Sequence, residues 1–125
     1  MSSSVLREWK NIMLKGDSHK LKNIIHENAV FYSPVVFTPQ IGKKNVLKYL
    51  STAIKVFEKK NFSYIRYVEF DNALYAEFTA TIDDIEINGV DFIRIEDQLI
   101  KEFKVFIRPI KGLEKVWSKM RNNFN

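Results

Sequence analysis

Asn88-Gly89-Val90-Asp91-Phe92-Ile93-Arg94-Ile95 is a β-forming run with one carboxylate set into it. Val, Ile and Phe suit extended backbone, and strand side chains alternate between two faces. An inward Asp91 brings Ile93 and Ile95 to the same inner face and sends Phe92, Arg94 and Glu96 outward. That arrangement describes a pocket with one charged group at its floor. An outward Asp91 leaves the stretch with almost no chemistry. Gly89 inside the run predicts a bulge or a bend, and a long bent strand curls its sheet.

The period of two continues on both sides. Four strands are predicted, at about 62–70, 74–82, 85–95 and 99–108, separated by Asp71-Asn72, Asp83-Asp84 and Glu96-Asp97-Gln98. Short polar separators imply hairpins and an antiparallel meander. On the last strand Phe103, Val105 and Ile107 are expected inward, and Lys104, Phe106 and Arg108 outward. Phe92 and Phe106 then stand on the outer face, where a second copy of the chain would cover them. Ala76, Phe78 and Ala80 make the apolar set of their strand, which leaves Glu77 outside. Tyr49, Tyr64, Tyr67 and Tyr75 read as packing residues with a wet hydroxyl.

Before Phe62 the period is 3.6. Val5, Trp9, Ile12 and Met13 mark one face of a first helix, capped by Ser4 and stopped by Gly16. Asp17 or Ser18 opens a short second helix, with Leu21, Ile24 and Ile25 inward and His26 at its end. Ala29 to Ser33 is a short strand. Pro34 to Gln40 is apolar but bracketed by prolines, hence a loop or sheet edge over an apolar rim. Val46, Leu47, Leu50, Ala53, Ile54 and Phe57 form the stripe of a long helix ending near Lys60-Asn61. Leu113, Val116, Trp117 and Met120 predict a short C-terminal helix after Pro109. Helices gathered on one side of an antiparallel sheet make an α+β architecture.

The 125 residues, 46% of them hydrophobic and ten of them Phe, suffice for a single domain over 1–125 with a sizeable core. The N-terminal stretch Met1 to Glu8 lacks a signal-peptide pattern, no run is long enough to span a membrane, and there is no Cys. Together these suggest a soluble cytoplasmic protein. The net charge of +5 comes from scattered lysines without a basic arm or an RNA-binding motif, so neither nucleic acid nor membrane is expected as partner. His19 and His26 lack metal-ligand spacing. There is no phosphate loop or nucleophile elbow, and no cofactor is expected.

The order of elements, Phe31-Tyr32-Ser33-Pro34-Val35-Val36, Gly42-Lys43 before the long helix, Gly89-Val90-Asp91 and Ile107-Arg108-Pro109 together resemble the nuclear transport factor 2-like superfamily. Within it, the chain is similar over nearly its whole length to bacterial SnoaL-like (polyketide cyclase-like, ketosteroid isomerase-like) domains. The resemblance implies a cystatin-like cone, a strongly curved antiparallel sheet wrapped over three helices, with a cavity between them and homodimers through the outer sheet face. The superfamily holds isomerases, epoxide hydrolases, dehydratases, cyclases and non-catalytic modules, so fold does not select function.

Compared with ketosteroid isomerases, Asp91 stands at the oxyanion-hole acid, Ser33 at the base and Trp9 at the oxyanion tyrosine. A serine hydroxyl is too weak a base, and an indole N–H only donates. Compared with limonene epoxide hydrolase-type members, Asp91 matches one Asp, Gly89 stands at the Arg and Val105 at the second Asp. Neither reaction carries over. The expectation is a cavity binding a small, mostly apolar molecule. Its wall comprises Trp9, Met13, Phe31, Ser33, Val35, Phe37, Leu50, Ile54, Ile93, Phe103 and Val105. Asp91 is its polar anchor and candidate catalytic group, with a pKa raised by desolvation. An enzyme built this way would carry out cofactor-free isomerisation, dehydration or hydrolysis. The alternative is a non-catalytic binding or interaction module.

Overall fold

The computed structural model describes residues 3–124. Met1 and Ser2, part of the stretch read for a leader, lie outside it. The elements are α1 (Ser4–Lys15), a 3₁₀ helix (Ser18–Asn23), β1 (Ile25–Tyr32), β2 (Gln40–Ile41), α2 (Lys43–Phe57), β3 (Ser63–Phe70), β4 (Ala73–Ile82), β5 (Ile85–Glu96), β6 (Leu99–Arg108) and α3 (Ile110–Asn122). They build one sheet in the order β2-β1-β6-β5-β4-β3. The sheet is open, with β2 and β3 at its edges. β3 to β6 form the antiparallel meander, whereas β1 pairs parallel with β6, so the whole sheet is mixed.

Each of the three hairpins turns on two residues with positive φ: Asp71-Asn72, Asp83-Asp84 and Asp97-Gln98. That is the turn whose twist matches the strands it joins, and Asp and Asn tolerate it best. The sheet wraps an apolar core whose largest fully buried side chains include Trp9, Phe78, Phe103, Leu6 and Ile12. α1 buries Val5, Leu6, Trp9, Ile12 and Met13 on one stripe and ends at Gly16, whose φ of 75° suits a residue without Cβ.

Four local expectations change. The cap of α1 is Ser3, and its side chain makes no capping hydrogen bond. The second helix is a 3₁₀ turn ending at Asn23; Ile25 already begins β1, so His26 is a strand residue. The pair Ile24-Ile25 is β-branched, which favours extended backbone over another helical turn. α2 stops at Phe57, short of Lys60, and Lys59 and Asn61 then take positive φ. Gly89 is neither a bulge nor a break, because its pairings with Phe78 and Ile107 continue the register on both sides. It is needed for space. A Cβ there would lie 2.5 Å from the Phe106 carbonyl oxygen and would overlap the Phe78 ring. The register shifts fall instead between Tyr64 and Arg66 and between Arg94 and Ile95 in the meander, and between Ile25 and Val30 where β1 pairs with β6.

Candidate functional site

β5 places Asp91 on the concave face, directly across from Ala76 on β4 and Val105 on β6. The residue is 5% exposed, the one buried carboxylate among the described residues. Tyr64 reaches it from β3, two strands away. Its hydroxyl donates to Asp91 Oδ2 at 2.5 Å. Between them lies β4, on which Tyr64 pairs with Phe78 and Asp91 with Ala76. Trp9, on the buried stripe of α1, donates its indole N–H to Tyr64 Oη at 2.9 Å. Three elements distant in sequence thus meet in one chain of hydrogen bonds.

Burial is the main reason the Asp91 carboxyl is pushed up to about 7, and the Tyr64 hydrogen bond pulls it partly back. Burial and the adjacent carboxyl drive the Tyr64 hydroxyl well above its ordinary value, so it stays protonated. Tyr64 as a residue is half-buried, while its hydroxyl lies between Trp9 and Asp91.

Asp91 opens on a pocket of about 50 Å³ between the sheet and the helices. Apart from the carboxyl, its lining is nearly all carbon. Trp9, Phe31, Tyr49, Phe57, Phe62, Phe78, Phe103 and Trp117 supply aromatic surface. The rings pack on one another: Trp9 edge-on to Phe103 at 4.8 Å, Phe31 stacked on Tyr49 at 5.3 Å and Phe62 stacked on Phe78 at 5.1 Å. α3 contributes Val116, Trp117 and Met120 to the wall. Phe124, just beyond it, packs against Tyr49 and Trp117.

Of the predicted wall, Trp9, Met13, Phe31, Ser33, Val35, Leu50, Phe103 and Val105 line this pocket with Asp91. Ile54 and Ile93 face inward but are packed into the core away from it, and Phe37 is fully exposed. Phe37 sits in the proline-bracketed loop, which has no strand period to aim its side chains. Ser33 lines the pocket, but its Oγ accepts backbone N–H bonds from Val35 (3.0 Å) and Val36 (3.3 Å), tying the oxygen to the turn.

Tyr64 is the residue that the sequence reading missed; its hydroxyl is the partner of Asp91 rather than a wet group. Phe62 and Tyr64 flank Ser63 in the alternating run and therefore share the concave face, which was the available signal. Val116, Trp117 and Met120 were legible as an apolar helical face, but nothing local says which surface that face covers.

A second cluster lies at the far end of β5, where His26, Glu96 and Asp97 converge. His26 Nδ1 accepts the Asn28 backbone N–H at 2.9 Å, which leaves the proton on Nε2, 3.2 Å from Asp97 Oδ2. In that tautomer Nε2 carries the proton and has no lone pair to offer a cation, and the group acts as a hydrogen-bonded surface tie. Among the described residues no helix is long and apolar enough to cross a membrane.

The curved sheet over three helices, with a buried carboxyl beneath them, defines a nuclear transport factor 2-like, cystatin-like protein. The SnoaL-like domain model matches residues 6–103, and the chain belongs to that family. It is similar to a steroid delta-isomerase from Pseudomonas aeruginosa, at 31% identity over 95% of this chain and 88% of that one, TM-score 0.89. It is also similar to a bacterial protein with a cystatin-like fold from Silicibacter pomeroyi, at 23% identity over 97% and 85% of the two chains, TM-score 0.88. An NTF2-like protein of unknown function from Mesorhizobium loti shares 17% identity over 84% and 88%, TM-score 0.74. The last two likenesses speak to fold alone. No curated protein matches the chain.

Proposed function

We propose that this protein binds a small, mostly apolar molecule between sheet and helices, anchored by Asp91. The observation that carries this reading is the isolation of that carboxyl. Among the described residues it is the only charged side chain in a carbon-lined pocket, and no cation pairs with it. A desolvated carboxyl in a cleft is a candidate functional group, because burying it costs stability that an apolar side chain there would avoid. The likeness to a steroid delta-isomerase supports a site for organic molecules.

Any reaction here is cofactor-free acid–base chemistry by one carboxyl, in the class of isomerisation, dehydration or hydrolysis. Asp91 alternates between proton donor and acceptor near neutral pH. The pocket is far below the roughly 300 Å³ at which ligand sites begin, so binding in this reading requires wall side chains to move aside. The second reading, a non-catalytic binding module, draws on Ser33. It stands where an isomerase carries its base, and its oxygen is committed to the turn.

The partner in solution is a second copy of the chain. Val68, Phe70, Tyr75, Phe92 and Phe106 stand on the convex face across β3 to β6, with Phe70 72% and Phe106 54% exposed. The Arg66–Glu77 and Arg94–Glu102 pairs lie on the same face. Exposed apolar surface gains from cover, and a two-fold axis brings the same patch of two copies together. Nucleic acid, membranes and cofactors have no part in this reading, and the absence of Cys fits a cytoplasmic setting.

A thermal-shift screen of small carbonyl, alcohol and epoxide compounds tests the site. Hits are expected to stabilise the wild type and to lose at least about tenfold in affinity with Asp91→Asn, one lost charge-assisted hydrogen bond. Hits that bind both proteins equally would remove Asp91 from the site.

A further inference from the structure

Trp9 and Tyr64 are committed in one direction. An indole N–H can only donate, so the 2.9 Å contact fixes Tyr64 Oη as acceptor from Trp9. The phenolic hydrogen then has one acceptor in reach, Asp91 Oδ2. The reverse arrangement, with a protonated Oδ2 donating to Tyr64, would leave the phenolic hydrogen without its partner, because Asp91 is the one acceptor that it meets among the described residues. No other described group donates to the carboxyl. Its neighbours across the sheet are Ala76 and Val105, and no charged side chain faces it from α1, β3, β4 or β6.

We infer that Trp9 and Tyr64 are positioning residues that reserve Asp91 Oδ2 and confine the carboxyl proton to Oδ1, the oxygen left to the pocket. The inference rests on the reading of Asp91 as the anchor for its functional consequence, and on hydrogen-bond direction for its geometry. A bound molecule meets one oxygen, a donor when protonated and an acceptor when ionised. Tyr64 orients that oxygen and does not itself touch the ligand. The site therefore selects a molecule presenting one polar atom to Asp91 and carbon elsewhere.

The test is a carbon-13 NMR titration of the Asp91 carboxyl in the wild type, Tyr64→Phe and Trp9→Phe. Donation from Tyr64 favours the ionised form, so Tyr64→Phe raises the midpoint from about 7 by roughly one unit or more. Trp9→Phe raises it by less, because it removes only the polarisation of the Tyr64 hydroxyl. If Asp91 were the donor to Tyr64, the Tyr64→Phe midpoint would fall. A lowered or unchanged midpoint overturns the assignment. The wild type decides the matter should a phenylalanine variant fail to fold: below the midpoint the Tyr64 hydroxyl proton is expected as a downfield resonance protected from exchange if it donates to Asp91, and its loss to solvent exchange there would overturn the assignment. The titration needs no ligand, so its failure is distinct from failure of the ligand screen.

Discussion

On the concave face of the sheet, Asp91 meets no cation among the described residues, and its carboxyl is pushed up to about 7 by burial. On the convex face one strand over, Glu77 is hydrogen-bonded by Arg66 and by Asn88, and its carboxyl is held below the usual range. Arg94 is likewise paired with Glu102 and Glu96. Both carboxyls belong to the same hairpin. The pleat alone sends one into carbon and the other toward water and arginine. The difference teaches where the fold carries an energetic cost: the outer charges are solvated and paired, whereas the inner one is isolated.

The largest way to break that contrast is Asp91→Asn. The folded value near 7 lies above the ordinary 3.8, so between those values the folded chain holds a proton that the unfolded chain has released. Its contribution to stability is therefore intact below about pH 4 and declines as the pH rises to about 7, by up to roughly 4 kcal/mol. Asp91→Asn removes this dependence. Urea melts should find the variant more stable than wild type at pH 8, by about 2–4 kcal/mol, with the two converging toward pH 4. A wild type equally stable at both pH values would mean that the carboxyl is hydrated.

Gly89→Ala probes the same floor by space instead of charge. The added methyl meets the Phe78 ring and the Phe106 carbonyl, and overpacking of this kind costs about 1–3 kcal/mol. Combining it with Phe78→Leu should recover part of the loss in denaturant midpoint, since the ring end is one of the two obstacles. No recovery would place the conflict on the backbone alone.

On the convex face, Phe70→Ser with Phe106→Ser should leave the pH dependence of folding unchanged. In sedimentation equilibrium it should shift the protein from dimer to monomer at micromolar concentration. A wild type already monomeric there would remove the second copy from the account. The smallest effect belongs to Glu77→Gln. It breaks a solvated pair with Arg66, and surface pairs contribute little. Its urea midpoint should match wild type within measurement error, and a clear loss would show that the outer pairs hold the sheet.

The meander was legible because Asp71-Asn72, Asp83-Asp84 and Asp97-Gln98 punctuate a sustained alternation, and the helices because their apolar stripes are long. The alternation put Asp91 on one face with Ile93 and Ile95 but left open which face is inside; the resemblance to the cone fold turned it inward. The partner of Asp91 was not legible. Tyr64 is a polar-tipped aromatic in a strand of mostly exposed residues, and its contact with Asp91 spans two strands and a register shift. Gly89 was misread as a bend because a glycine required by a neighbouring ring leaves the same mark in sequence as one required by backbone geometry. Phe37 was misplaced because no periodicity governs the Pro34–Pro39 loop.

The most direct test of the central claim follows the Asp91 carboxyl by carbon-13 NMR across pH, with and without a saturating hit from the screen. A free-protein midpoint near 7 that moves when the compound binds is the predicted result. A midpoint near 4, the value of a hydrated aspartate, or one indifferent to a bound compound would contradict it.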